Sequence, residues 1–282
     1  MTSNSRPLRR ALCTLLFGIA ALWAMPRSAR GQLYVSQVFN NGVGKYNATT
    51  GTAINANFIT GLNSPKGLAL SGNHLLVTNF LSNTIGQYNA ATGAAINFIT
   101  CAFPVGLALL GNNLFVANAE SGTIGEYNAT TGAVINATFV TGLSKPQGLA
   151  LSGNNLFVVT NYNGGTVGEY NATTGAWINA NFITGLDGPL ALALSGNNLF
   201  VTNFFSNTVG EYNATTGATI NANFITGLNG PIGLALSGNH LFVTNQFSGT
   251  VGEYDATTGA VVNANFITGL SDPCALAVAP SL

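Results

Sequence analysis

Downstream of residue 31 the chain alternates short apolar runs with runs rich in Gly, Asn, Ser and Thr, and the alternation itself repeats. One unit, residues 231–270, reads PIGLALSGNHLFVTNQFSGTVGEYDATTGAVVNANFITGL. Gly-Leu-Ala-Leu is an apolar run between a proline and a Ser-Gly-Asn turn. Leu-Phe-Val-Thr-Asn is aromatic and β-branched. Thr-Val-Gly-Glu-Tyr runs into an Asn/Asp-Ala-Thr-Thr-Gly turn, and Asn-Phe-Ile-Thr leads to the next proline. Short runs of this composition between turn signals predict four strands per unit, and no stretch of helical period interrupts them.

Two markers count the units independently. The tyrosine of a Gly-x-Tyr triplet recurs at Tyr46, Tyr88, Tyr127, Tyr170, Tyr212 and Tyr254, with spacings of 42, 39, 43, 42 and 42. A proline recurs at Pro65, Pro104, Pro146, Pro189, Pro231 and Pro273. Four strands per ~40–45 residues is the arithmetic of a β-propeller. The first unit begins at strand two (Leu33-Tyr34-Val35-Ser36-Gln37), and the chain closes with a lone strand one (Cys274-Ala275-Leu276-Ala277-Val278). Together they make one blade and remove two sheet edges. The expectation is all-β: a six-bladed propeller of four-stranded antiparallel blades, its first blade closed by the C-terminal strand.

Residues 1–31 follow a different pattern. Arg6, Arg9 and Arg10 precede an apolar stretch from Ala11 to Met25, and small residues surround a cleavage point after Gly31. These are the three regions of a secretory signal peptide, and the apolar stretch is short of the ~20 residues that cross a bilayer. The predicted domains are a signal peptide over 1–31 and a propeller over 32–282, placing the mature chain in the periplasm, in the medium or at the cell surface.

Charge is scarce. Only 6% of the 282 residues are charged, against about 25% in an ordinary soluble domain. The overall balance of zero hides an asymmetry, since five of the eight basic residues lie before residue 31. The propeller keeps Lys45, Lys66 and Lys145 against eight carboxylates, a net −5. Nothing in it attracts a phosphate backbone or an anionic membrane, so nucleic acid and membrane insertion are excluded as targets of the mature chain.

Val-Thr-Asn at 77–79, 201–203 and 243–245, followed by Asn-Thr-Val-Gly or Gly-Thr-Val-Gly, resembles the YVTN-type propeller repeat. Pro-x-Gly-Leu-Ala is similar to the opening of NHL repeats and of gluconolactonase-like (SMP-30-type) propellers. The resemblance covers the whole mature chain. It implies that strand one lines a central channel and that the loops after strands two and four share one face. These propellers include binders, surface proteins and metal-dependent lactonases, so the resemblance speaks for fold more than for activity.

The channel strands, from Leu68-Ala69-Leu70 to Leu276-Ala277-Val278, carry none of the acidic or amide side chains with which the lactonases hold a divalent metal. Loop residues Glu120, Asp187 and Asp272 are the fallback set for such an ion, with calcium the candidate. No cofactor is otherwise expected. His74 and His240, four units apart, read as exposed turn residues standing in for Asn. Glu126, Glu169, Glu211 and Glu253, before the repeat tyrosine, read as solvated carboxylates, with Lys45 and Glu253 forming a weak surface pair across adjacent blades. Cys101 and Cys274 occupy non-equivalent positions and are expected to be free or buried thiols. Of the Asn-Ala-Thr sequons at Asn47, Asn128, Asn136, Asn171 and Asn213, four belong to the same turn, whose Asn and Thr caps are sufficient explanation.

The remaining signal lies in the loops after strand two, where aromatics recur: Phe80, Tyr162, Phe204, Phe205 and Phe247, with Lys66 and Gln147 nearby at the channel mouth. They form either an exposed recognition face or packing between blades. The functional expectation is a non-catalytic, monomeric recognition or scaffold module for a glycan, a peptide or a surface protein. A gluconolactonase-like hydrolase and a purely structural envelope protein are the alternatives.

Overall fold

A computed structural model describes residues 31–160 and 165–279; the expected signal peptide over 1–31 lies, but for Gly31, outside them. The described residues form twenty-four strands, from β1 (Gln32–Gln37) to β24 (Pro273–Val278), in six four-stranded sheets. Blade 1 combines β24 with β1, β2 (Gly42–Asn47) and β3 (Ala53–Ile59). Blade 2 is β4 (Pro65–Ser71), β5 (His74–Asn79), β6 (Thr84–Asn89) and β7 (Ala95–Thr100), and blades 3 to 6 follow in chain order. Within blades every pairing is antiparallel. The C-terminal strand closes blade 1, with Leu33 opposite Val278 and Val35 opposite Leu276, as its apolar run and the strand-one gap in the first unit predict.

The core is divided among the blade junctions. Six apolar clusters each draw residues from two neighbouring blades; one joins Phe115, Ile124 and Phe139 of blade 3 to Leu149, Leu156 and Val158 of blade 4. A blade buries its faces only against its neighbours, so the ring holds together as a unit.

Local geometry explains the repeat motifs. In each Gly-x-Tyr triplet the buried tyrosine ring folds back over the glycine; a Cβ on Gly210 would meet the Tyr212 ring at 2.7 Å. The Asn-Ala-Thr-Thr-Gly turn is an Asx turn. Asn213 Oδ1 accepts the N–H groups of Thr215 and Thr216, both at 2.9 Å. Gly217 then adopts φ +72° where a Cβ would strike the Phe182 carbonyl of the preceding blade. The same turn is made by the asparagines of the sequons at 47, 128, 171 and 213.

The Thr of Val-Thr-Asn stitches blades together. Thr202 Oγ1 accepts the Ala191 N–H at 2.9 Å and donates to the Ile232 carbonyl of the next blade at 3.0 Å. Thr78, Thr244 and Ser36 make the same bridge. In blade 4 the insertion that lengthens the unit shifts the motif by one residue. Thr160 pairs with Thr166 where the repeat has Asn opposite Thr, and Val159 stands at the bridging position. Ala117 stands there in blade 3.

Candidate recognition face

The loops after strand two and those before strand one meet on one side of the ring. Phe204 N–H donates to the Gly188 carbonyl and Phe205 N–H to the Asp187 carbonyl, at 3.0 and 3.2 Å. In the pre-proline loops the backbone takes the left-handed region at Ser64, Phe103, Lys145, Gly188, Gly230 and Asp272. Where that residue is glycine, the next loop's ring lies directly over it. A Cβ on Gly188 would meet Phe205 at 2.6 Å, and one on Gly230 would meet Phe247 at 2.7 Å.

The sequence-predicted residues resolve into two groups. Phe204, Phe205 and Phe247 form an edge-to-face cluster across blades 5 and 6, with centroids 5.4 and 5.3 Å apart. Phe204 is half-buried, while Phe205 and Phe247 remain 68% and 66% exposed. On the opposite side of the ring the Lys66 ammonium sits over the Phe80 ring, 4.3 Å from its centroid, and Phe80 leans on Phe103 at 5.6 Å. Phe103 was not anticipated: it stands before a strand-one proline, where the other units have small or polar residues. The two expected alternatives therefore apply to different rings. Phe80 and Phe204, directly after strand two, pack on neighbours, while Phe205 and Phe247, one position later, face outward. Tyr162 lies outside the described residues.

Lys66, Gln147 and Cys274 line a cavity of about 160 Å³ at the channel mouth, to which all six blades contribute. Its walls are otherwise small or apolar, and the opposite end of the channel is lined by the Leu-Ala-Leu runs. Cys101 and Cys274 are free thiols, and burial pushes them up to about 12 and about 11, far from thiolate reactivity at neutral pH. The fallback metal residues are not brought together. Glu120 and Asp187 are exposed on separate blades, Asp272 is buried, and no group of three or more potential ligands occurs among the described residues.

Three expectations need correction. The glutamates are not solvated: Glu126, Glu169, Glu211 and Glu253 are all buried between blades. The first three accept hydrogen bonds from the residue that opens strand two, with Asn113, Asn155 and Asn198 Nδ2 at 2.6 to 2.7 Å. Burial raises the carboxyl pKa of each of those three above the ordinary value. The histidines, likewise, are not free turn residues. They occupy that same strand-opening position, half-buried, with His74 Nδ1 2.9 Å from Gln87 Nε2 and His240 Nδ1 2.9 Å from Glu253 Oε1. Nor is Lys45 a surface partner of Glu253. It is buried, lies over the Phe58 ring at 4.6 Å and donates to the Ala90 carbonyl of blade 2 at 3.1 Å. Lys45, like Gln87 at the same position of blade 2, reaches a backbone carbonyl of the next blade, 45 and 42 positions away respectively.

These features define a class: a closed six-bladed β-propeller with an apolar channel and a loop face bearing paired aromatics. The chain resembles the solved structure titled as a nidogen/laminin complex, with a TM-score of 0.75 at 16% identity over 88% of this chain and 98% of that one. It also resembles the computationally designed Ika8 protein, with a TM-score of 0.52 at 19% identity over 86% and 73%. Such likenesses show the fold alone. No curated protein matches the chain significantly. The family described as outer membrane protein assembly factor BamB matches residues 40–265, and the chain belongs to that family.

Proposed function

We propose that the protein is an exported, non-catalytic scaffold that docks a protein partner on its loop face. The observation that carries this reading is the cluster of Phe204, Phe205 and Phe247. Two rings are held outward by a rigid framework on a face where Glu120 and Asp187 are the exposed carboxylates nearest in sequence. Exposed aromatics seated on fixed backbone lose little freedom on binding and are characteristic anchors of protein interfaces. Membership of a family named for outer membrane protein assembly supports a protein partner over a glycan, and a periplasmic location reached through the signal peptide of residues 1–31. The YVTN- and NHL-like motifs agree with this at a finer level, since their Thr and Pro build the ring that presents the loops. Among the described residues the channel walls are apolar and the exposed carboxylates lie on separate blades, which favours the non-catalytic reading over the hydrolase alternative.

The test is site-specific photocrosslinking in cells. A photoreactive residue at position 205 or 247 is expected to give discrete protein adducts, whereas one at Asn239, in the turn on the opposite face, gives none. Equal labelling at all three positions, or none at 205 and 247, would sink the assignment. N-terminal sequencing of the mature protein should begin at Gln32.

A further inference from the structure

The outermost strands of the blades end the sheets and carry no charged residue and no proline: AINANFI, VINATFV, WINANFI, TINANFI and VVNANFI in blades 1, 3, 4, 5 and 6, and AINFIT in blade 2. Uncharged apolar edges invite pairing with another chain unless something blunts them. In five blades the blunting device is a bulge. Between the Val43–Ile59 and Lys45–Asn55 pairs of blade 1, one residue of β2 faces three of β3, and blades 3 to 6 repeat this. The asparagine that opens each bulge accepts the N–H two residues on, at 3.0 to 3.1 Å. The bulge also turns the strand's phenylalanine inward onto a strand-two ring, with centroids 5.1 to 5.6 Å apart.

Blade 2 lacks this wide bulge and keeps only a one-residue shift at Ile96, between the Gln87–Asn97 and Tyr88–Ala95 pairs. Its unit is missing an Ala-Asn pair, and β7 stays in unbroken register with β6 over four consecutive pairs, from Thr84 opposite Thr100 to Gln87 opposite Asn97. Strand two offers Leu76 where the other blades offer a ring, so Phe98 has no inward partner of that kind. It is 55% exposed, beside Ile96 at 51%. Its ring rests edge-on against Tyr88 at 6.1 Å, and its N–H is held by its neighbour's Asn97 Oδ1 at 2.8 Å. Residues 65–100 contain no Asp or Glu.

We propose that β7 is a strand-addition site that takes an extended, uncharged segment of a partner protein with apolar residues at alternate positions. Main-chain hydrogen bonds to the open edge supply affinity, the Asn97 amide yielding the Phe98 N–H to the incoming carbonyl. Ile96 and Phe98, both exposed on this strand, select apolar neighbours. A segment is favoured over a second copy of this chain for two reasons. One six-residue edge is far smaller than the ~800 Å² per partner of a stable dimer, and each copy brings a propeller of net charge −5. The site lies at the rim of the ring and does not depend on the loop face.

The probe is a capped, fluorescein-labelled peptide of alternating Val and Thr, titrated against the full mature protein by fluorescence anisotropy. Saturable binding is expected, weakened at least tenfold by Phe98→Lys, by Ile96→Lys, and by inserting Ala-Asn after Asn97 to rebuild the bulge. Ile220→Lys, on the bulged edge of blade 5, should leave binding unchanged. A peptide N-methylated along one edge should not bind, which separates strand pairing from apolar adhesion. Circular dichroism and melting confirm that the variants fold. Absence of binding, or binding that survives both the lysines and the insertion, overturns the proposal. A dimer in sedimentation that Phe98→Lys dissolves would also overturn it, making a second copy the occupant.

Discussion

Thr202, Thr78, Thr244 and Ser36 show how much one hydroxyl settles in this ring. Each satisfies a strand-one N–H of its own blade and a strand-one carbonyl of the next. Removing the hydroxyl leaves both partners unmet, at a cost of about 1–3 kcal/mol. Thr202→Val keeps the shape and loses the bridge, and is expected to lower the melting midpoint by roughly 3–10 °C in a domain of this size. Val159→Thr is the reciprocal change, with Leu190 and Gly148 at the equivalent backbone positions, and should raise the midpoint by up to a few degrees. Differential scanning calorimetry of the pair checks the argument, and a fall for both variants would refute it. Val-Thr-Asn was legible as a motif, but its Thr looked like ordinary strand composition. The partner carbonyl is thirty residues away in the chain, and only the ring brings it near.

At the scale of the strand, the glutamates mark where sequence reading stopped. The spacing correctly put Glu126, Glu169 and Glu211 on strand three beside the repeat tyrosine, yet alternation alone cannot say whether the face they share is wet. Both faces of a blade are covered by other blades, so a strand-three carboxylate is buried whichever way it points. Its folded-state pKa is raised by that burial. A raised carboxyl pKa contributes stability that is fully present below the unfolded value, about 4.3, and is lost as pH rises through the folded value. The melting midpoint should therefore fall between pH 4 and pH 7. In the triple variant Glu126→Gln, Glu169→Gln, Glu211→Gln that fall should flatten, and the midpoint at pH 7 should rise by a few degrees. Gln87 supplies the precedent, since its amide already donates to the Ala129 carbonyl at 3.4 Å in the equivalent site. An unchanged pH profile would show that the three carboxyls ionise freely.

For the whole molecule the decisive contact is the pairing of β24 with β1, which joins residues more than two hundred positions apart and completes two of the six junction clusters. Deleting Pro273–Leu282 would open the ring, expose the β1 edge and remove Leu276 and Ala277 from those clusters. The truncated protein should unfold at least 10 °C lower and sediment as aggregates, because the loss is shared by both neighbouring junctions. A truncated chain that melts like the intact one would mean that the blades are stable independently, as in an open solenoid.

The number of blades, the strands in each and the strand that closes the ring were all determined by sequence. They follow from local signals repeated six times: apolar runs, turn residues and two invariant markers. Turn chemistry at Asn47 or Asn213 was equally readable, because an Asx turn involves only its own neighbours. What tertiary structure alone decided concerns groups that meet across blades. Lys45 reaches Ala90 rather than Glu253, the glutamates are dry, and Phe204 packs while Phe205 and Phe247 stand out. The same division explains blade 2. Its missing Ala-Asn pair, with one residue fewer in the loop before Pro104, is visible in the chain as a spacing of 39 where 42 is usual, but nothing local says that the lost pair belonged to a bulge guarding an edge. Short-range hydrogen bonding is encoded within a few residues and can be read there. Burial and edge protection depend on which surfaces the closed ring sets against each other, and a linear pattern does not contain that.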